Sequence, residues 1–297
     1  MTTVGFIGLG IMGMPMAKNL LDAGFDVIGY NRSRPKVDAL VEAGGRGAGS
    51  AQEAAEGADV IVTMLPDSPD VEAVLLGAEG EDGVFGSARP GTLVIDMSTI
   101  RPDVAKRVAE AGAAEGLHVL DAPVSGGEQG AIDGALSIMV GGTDEDFAQA
   151  KQVLEAVGKT IVHVGPAGSG QTVKAANQLI VAGTIELVAE SIVFLEAYGV
   201  DTEAAVKVLA GGLAGNAVLD RKAAAMLERD FKPGFRLELH HKDLGIVASA
   251  AREAGVATPL GAVVSQLVAA LVARGDGGLD HTGLLKLVEE LSGRVDR

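Results

Sequence analysis

The sequence predicts an α/β chain in two parts: a parallel-sheet domain over residues 1–165, then a long helix and an all-helical domain over residues 166–297. Three observations predict it. Up to Gly165, short apolar runs alternate with segments of helical period, the pattern of strands joined by crossover helices. From Gly168 to Gly199 a mostly apolar stretch continues for about 30 residues, roughly 45 Å if it is helical throughout. Beyond it only helix-period segments follow, and no alternation of period two stands out.

Composition narrows the class. With 47% hydrophobic and 22% charged residues over 297 positions, the chain can bury two real cores and is not disordered. It has no cysteine, which excludes a disulfide framework, a thiol nucleophile and a cysteine-based zinc site. A formal charge of −16 without any basic run opposes attraction to nucleic acid or to an anionic membrane. An anionic substrate would therefore need positive groups supplied locally. The opening MTTVGFIGLG is already strand-like, with no basic region or cleavage site before it, so a cytoplasmic location is expected. The long apolar helix is interrupted by Glu186, Glu190 and Glu196, which predicts a core helix rather than a membrane span.

The elements follow in order. Thr3 to Ile7 leads into Gly8-Leu9-Gly10-Ile11-Met12-Gly13 and then a helix through Pro15, Met16, Leu20 and Leu21, closed by Gly24. Strand, glycine turn and helix in that sequence form the dinucleotide fingerprint of a Rossmann domain, with helix amides facing a pyrophosphate. Phe25 to Tyr30 is the second strand, and Asn31-Arg32-Ser33 stands at its tip where NAD enzymes usually carry an acid. Asn31 can bind a ribose hydroxyl while Arg32 and Ser33 hold a 2′-phosphate, so NADP is expected over NAD. The alternative is Arg32 lying on the adenine face with Asn31 serving NAD.

Strands over Ala58–Met64 and Thr92–Met97 end at Met64-Leu65-Pro66 and Ser98-Thr99, which are expected to line the cofactor crevice. Leu117 to Asp121 is the next strand, followed by Ser125-Gly126-Gly127. A hydroxyl with two glycine amides can bind a carboxylate, but the same residues also suit a plain turn into a helix over Gln129–Asp133. Leu136–Val140 and Thr160–Val164 are further strands around a helix over Glu145–Val157.

Helices are expected over Thr202–Gly211, Leu219–Leu227, Leu237–Ala254, Pro259–Ala273 and Leu284–Leu291. Lys174 and Asn177 are three apart and share a helix face. A lysine near a helix start and partly desolvated would have a lowered pKa suited to proton exchange, although a solvated helix lysine has the same spacing. His240, His241 and Asp243 show no ligand spacing, so no metal is expected. Lys242 and Asp243 alone would be a surface ion pair of little worth. Ser125 lies in no G-x-S-x-G elbow, which opposes a serine hydrolase.

Four segments together resemble the β-hydroxyacid dehydrogenase family: Gly8 to Gly13, DAPVSGG over Asp121–Gly127, GSGQTVKAANQ over Gly168–Gln178, and KDL over Lys242–Leu244. They cover essentially the whole chain, in order. GGLAGNAVLD over Gly211–Asp220, FKPGF over Phe231–Phe235, and Asp280-His281 narrow the resemblance to a branch acting on a small aldehyde acid. Asn216 departs from it, standing where serine is more familiar. The resemblance implies that Ser125, Gly126 and Gly127 bind the substrate carboxylate, that Lys174 is the general acid/base, and that Asn177 orients substrate and lysine. It also implies that Lys242 lies near cofactor and substrate with Asp243 fixing that region, and that the chain forms homodimers or homotetramers.

Overall fold

The computed structural model describes residues 1–78 and 81–294. Two compact units emerge, Met1–Lys174 and Ala175–Arg297. The first begins β1 (Thr3–Ile7), α1 (Gly13–Asp22), β2 (Asp26–Tyr30), α2 (Arg34–Glu42), β3 (Arg46–Gly47), α3 (Ala51–Ala55) and β4 (Val60–Thr63). It continues α4 (Ser68–Leu76), β5 (Gly77–Ala78), β6 (Glu81–Asp82), α5 (Val84–Ser87), β7 (Leu93–Asp96), α6 (Pro102–Ala114) and β8 (His118–Asp121). It closes with β9 (Val124–Ser125), α7 (Gly127–Ile132), β10 (Leu136–Gly141), α8 (Asp144–Val157) and β11 (Gly158–Gly165).

The main sheet has the order β11-β10-β8-β7-β4-β1-β2-β3, with β9 paired to β10. From β8 to β3 each pairing is parallel. β10 meets β8 antiparallel, and β11 runs parallel to β10. Chain order reverses at β1, flanked by β2 and β4, which is where an open α/β sheet leaves a ligand crevice beyond its strand ends. Register makes those ends level: Ile7 lies opposite both Tyr30 and Thr63, Thr63 opposite Asp96, and Asp96 opposite Asp121.

Alternation within each strand separates two cores. Val4, Phe6, Val60, Val62, Leu93 and Ile95 join one cluster, while Ile7, Ile61 and Val94 join the other. Both faces are thus covered, as a parallel sheet requires. The short β3, α3, β5, β6 and α5 leave no periodic signature in the sequence, being two to five residues long. α7 begins at Gly127 rather than Gln129 because the Gly130 amide already donates to the Gly126 carbonyl at 3.3 Å.

α9 (Ser169–Ala197) starts in the first unit, and its remainder supplies the first helix of the second. There α10 (Thr202–Ala210), α11 (Ala217–Glu228), α12 (Leu237–Glu253), α13 (Pro259–Ala273) and α14 (Leu284–Leu291) follow, with 3-10 turns at Asp276–Gly278 and His281–Gly283. Among the described residues this unit has no strand, only an isolated bridge between Arg236 and Asp280. Asn216 is the N-cap of α11, its Oδ1 accepting the amides of Val218 and Leu219 at 2.9 and 3.1 Å. Arg229, left-handed at φ 57°, closes the same helix and donates to Glu196 and Glu289 at 2.8 and 2.6 Å.

α9 is long and apolar enough to cross a membrane by length and composition. Of its carboxylates, Glu190 is exposed, while Glu186 and Glu196 are wholly or partly buried. Glu196 joins the Arg229 pairing, and Glu186 is buried, its Oε2 without a partner among the described residues. Burial, and then repulsion from Glu190, push the Glu186 pKa to about 7. A raised folded-state pKa means that the folded chain binds more protons between pH 4.5 and 7, so this residue's contribution to stability is lost as pH rises through that window. Glu186→Gln should remove that loss: after allowance for solvent screening, a gain on the order of 1–2 kcal/mol, or roughly 3–6 °C in Tm, is expected at pH 9 and none at pH 4.5. Thermal melts of both proteins across that range check it, and parallel melting curves would sink the assignment.

Candidate functional site

The three fingerprint glycines have different reasons to be glycine. Gly8 has φ +105°, and a Cβ there would lie 2.3 Å from the Met64 carbonyl oxygen. At Gly13 a Cβ would lie 1.9 Å from the Gly8 carbonyl oxygen, so α1 could not start so close to the turn. A Cβ on Gly10 would meet nothing within 4 Å among the described residues, and its φ is not in the left-handed region. Packing within the chain therefore does not demand the second glycine, whereas the close approach of a pyrophosphate does. The turn fits a dinucleotide.

Neighbouring strand tips hold that turn. The Gly8 amide donates to Tyr30 O at 2.9 Å, and the Leu9 amide donates to Asn31 Oδ1 at 3.1 Å. Asn31 thus braces the turn with its carbonyl. Arg32 is exposed, 3.7 Å from Asp70, and Ser33 precedes α2 with no capping bond from its side chain. At the next tips the Leu65 amide donates to Ser98 Oγ at 2.9 Å, and buried Asp96 accepts from Thr63 Oγ1 at 2.7 Å and the Ser98 amide at 3.1 Å. Met64, Leu65, Pro66, Ser98 and Thr99 consequently follow one row of strand ends.

The same row anchors the start of α9. Asp121, the last residue of β8, accepts the Gly168 amide on Oδ1 at 2.7 Å and the Gln171 amide on Oδ2 at 2.9 Å. A carboxylate here satisfies amides left open at a helix start and faces the positive end of the helix dipole. Burial pushes the Asp121 pKa to about 6 even so, with the Gly168 and Gln171 amides acting in the opposite direction, so the carboxylate is ionised at neutral pH and above. Gln171 adds two bonds with its side chain, accepting from the Ile100 amide at 3.0 Å and donating to Ser98 O at 2.8 Å. Gly170 must be glycine because a Cβ would lie 2.3 Å from Met139 O and 2.7 Å from Asp121 O.

Lys174 follows one turn later and is buried, 6% exposed. Ser125 ends β9 opposite Ser137, and Gly126 and Gly127 follow it with φ of +145° and +67°. All of these belong to the first unit. In the second, Asn177 Nδ2 donates to Gln178 Oε1 at 2.8 Å, and Gln178 Nε2 donates to Asp243 Oδ2. Lys242 Nζ lies 2.9 Å from Asp243 Oδ1. The expected surface pair of Lys242 and Asp243 is corrected here: Asp243 is 2% exposed, because it falls on the same face of α12 as buried His240, Leu244 and Val247. Asp96, Asp121, Gln171 and Gln178 are structural supports that the sequence pattern does not single out. Three of them lie inside the quoted motifs, and their fold-wide partners lie 47 to 73 positions away.

A glycine turn at a sheet reversal, together with a buried lysine on a helix anchored to the same row of strand ends, defines a dinucleotide-dependent oxidoreductase. Residues 3–165 match the family model of the NAD binding domain of 6-phosphogluconate dehydrogenase. Residues 168–288 match that of the NAD-binding domain of NADP-dependent 3-hydroxyisobutyrate dehydrogenase. The chain is 41% identical to 2-hydroxy-3-oxopropionate reductase of Escherichia coli (strain K12), over 96% of this chain and 97% of that one. It is 40% identical to 3-hydroxyisobutyrate dehydrogenase of Pseudomonas aeruginosa, over 97% and 98% of the two chains. A solved structure of Mycobacterium tuberculosis 3-hydroxyisobutyrate dehydrogenase with L-serine superposes with a TM-score of 0.87, at 34% identity, covering 97% of this chain and 99% of that one. The chain belongs to the β-hydroxyacid dehydrogenase family, NAD(P)-using oxidoreductases that act on a CH–OH group.

Two substitutions separate cofactor contact from scaffold. Gly10→Ala should leave the Tm of the cofactor-free protein within about 1 °C, since surface-like changes without clashes are nearly neutral, yet weaken NAD(P)H binding at least about tenfold by displacing the pyrophosphate. Calorimetric titration checks it, and unchanged affinity would reject the assignment of the turn. Asp121→Asn must turn an NH2 toward one of two amide donors, and a loss of about 2–3 kcal/mol is expected. A melting temperature equal to wild type would show that the carboxylate does not hold the helix.

Proposed function

We propose that this chain reduces tartronate semialdehyde, 2-hydroxy-3-oxopropanoate, reversibly to D-glycerate, with NADPH preferred over NADH. The reaction class is carried by one observation: Lys174 is buried on a helix whose start is hydrogen-bonded to the strand end at Asp121 and to the Ser98–Ile100 segment. The substrate is supported by the 41% identity to the Escherichia coli reductase. Gly211–Asp220, Phe231–Phe235 and Asp280-His281 support the same branch.

A bound nicotinamide cofactor supplies the hydride for the aldehyde carbon. The ammonium of Lys174 gives its proton to the aldehyde oxygen, which becomes the hydroxyl of the product, and the lysine regains a proton from water. Burial of Lys174 keeps it out of competition from bulk water and fixes its direction. Ser125 Oγ and the amides of Gly126 and Gly127 bind the carboxylate, Asn177 orients substrate and lysine, and Lys242, held by Asp243, adds positive charge against a chain of net charge −16. Arg32, exposed and only loosely paired at 3.7 Å with Asp70, is the group for a 2′-phosphate, since guanidinium–phosphate bonds are charge-assisted.

A second reading, 3-hydroxyisobutyrate dehydrogenase, is favoured by the 40% identity to the Pseudomonas enzyme. A succinic semialdehyde or glyoxylate reductase would share the same chemistry. A non-catalytic dinucleotide-binding module is disfavoured by the retained, buried Lys174. We further propose a cytoplasmic homodimer or homotetramer; exposed Ile180, Leu187 and Phe194, spaced by seven along α9, support self-association.

Lys174→Ala should lower kcat by about 10²–10⁴ with cofactor affinity kept, the range expected for a lost acid/base group. Near wild-type turnover in that variant would remove the lysine from the chemistry. In a panel of semialdehydes and hydroxyacids with both cofactors, the highest kcat/KM is expected for tartronate semialdehyde with NADPH. A higher value for methylmalonate semialdehyde would favour the second reading. Arg32→Ala should raise the KM for NADPH at least about tenfold and that for NADH little, as expected for loss of a charge-assisted bond; equal changes would mean that the arginine does not meet a phosphate.

A further inference from the structure

Inside the second unit two histidines lie together that the proposed chemistry leaves unused. His240 on α12 is fully buried and His281 is 7% exposed, with ring centroids 5.2 Å apart and Phe235 against both. Their hydrogen bonds define which nitrogens carry hydrogen. His240 Nε2 is 3.2 Å from the Gln178 carbonyl oxygen, which can only accept, so that nitrogen donates. A neutral His240 then presents a bare Nδ1. The two Nδ1 atoms are 3.2 Å apart, and the hydrogen between them must therefore belong to His281. The pair has opposite tautomers.

The groups around the pair keep it so. Burial, and then the neighbouring His240, hold the His281 pKa down to about 3, although Asp280 faces it. Asp280 is committed elsewhere: it accepts from Lys222 Nζ at 2.9 Å, from the Gly234 and Phe235 amides at 2.8 and 3.0 Å, and from Thr282 Oγ1 at 2.9 Å. Its Oδ1 is 3.8 Å from His281 Nε2, beyond a hydrogen bond. His281 therefore remains neutral through the ordinary pH range.

From His240 the bonds lead toward residues given roles above. α12 grips Gln178 of α9 at two points one turn apart, through His240 to its carbonyl oxygen and through Asp243 to its side-chain amide. The Oε1 of that side chain accepts from Asn177, while Asp243 holds Lys242. Two points fix the rotation of α12 about its axis as well as its height along α9, which a single bond could not do.

We propose that His281 and His240 are positioning residues: their opposed tautomers lock α12 onto Gln178 and thereby set the directions of Asn177 and Lys242. This rests on the reading that those two residues serve the reaction. An apolar pair of similar volume would fill the space without fixing rotation, and a 1 Å misplacement of an orienting group can cost about 10²-fold in rate.

The test uses the holoenzyme. Nitrogen-15 spectra of labelled histidine should show Nε2–H on His240 and Nδ1–H on His281 from pH 6 to 8; matching tautomers, or an imidazolium above pH 6, overturn the proposal. His281→Asn keeps a donor where Nδ1 stood, and His281→Leu does not. His281→Leu should lower kcat about 10- to 100-fold with cofactor affinity unchanged, and accelerate hydrogen exchange of the Gln178 side-chain amide about tenfold, while His281→Asn restores most of both. Equal defects in the two variants, or a fully active His281→Leu, overturn it. The ring assignments and the Gln178 exchange rate need no substrate, so a failed substrate panel would reject the reaction without deciding the histidine pair.

Discussion

The buried carboxylate of Asp121 is the constraint on which the site depends. It ends the strand next to the antiparallel switch of the sheet and takes two amides from the first turn of α9. That arrangement transfers the position of a strand end to a helix start with two bonds of about 3 Å, and charged hydrogen bonds of this kind are the strong ones. Gly170 and Gly141 make the contact possible, since a Cβ on either would collide with the backbone or carboxylate oxygens of Asp121. Lys174 inherits its place from these bonds, one turn along.

The remaining polar core of the first unit serves the same row of strand ends. Thr63, Asp96 and Ser98 bond with one another and with the Leu65 amide, and Gln171 ties that set to the helix. Parallel register is what lets this work. Because Ile7, Tyr30, Thr63, Asp96 and Asp121 lie level, the residues that follow them form one continuous rim. The apolar clusters on both faces make the sheet stable; the rim makes it specific. In the second unit, the clasp of α12 on Gln178 has a corresponding part, with directional bonds inside an otherwise apolar helix packing.

Acidity shapes how the chain must handle an anion. Against the charge of −16, Lys174 is held by burial and Lys242 by its pair with Asp243. Buried carboxyls elsewhere are treated differently according to their neighbours. Asp280, facing Lys222 and backbone amides, lies below the ordinary carboxylate range, while Glu186, facing Glu190 and apolar side chains, lies well above it. The same side-chain chemistry thus yields a fixed anion in one place and a titrating group in another.

Much was legible without coordinates. Alternating apolar runs, the G-x-G-x-x-G turn and the change to helical period predicted the architecture, because periodicity and glycine conformation are local properties of the chain. The long helix and Pro259–Ala273 and Leu284–Leu291 were placed almost to the residue for the same reason. What local pattern could not supply was the long-range partnering. Asp121 with Gln171, Gln178 with Asp243 and His240 with His281 join positions 41 to 65 apart, and no spacing announces them. The Lys242–Asp243 pair read as a solvated pair because its burial depends on which face of α12 is covered, a property of packing. Lys174 was likewise only a helix lysine by spacing, and the resemblance gave it a role. The sequence by itself determined the fold class and the cofactor turn, through local backbone chemistry; tertiary structure decided which polar groups are buried, and hence which are held still enough to act, because desolvation and directional bonding exist only between segments brought together by folding.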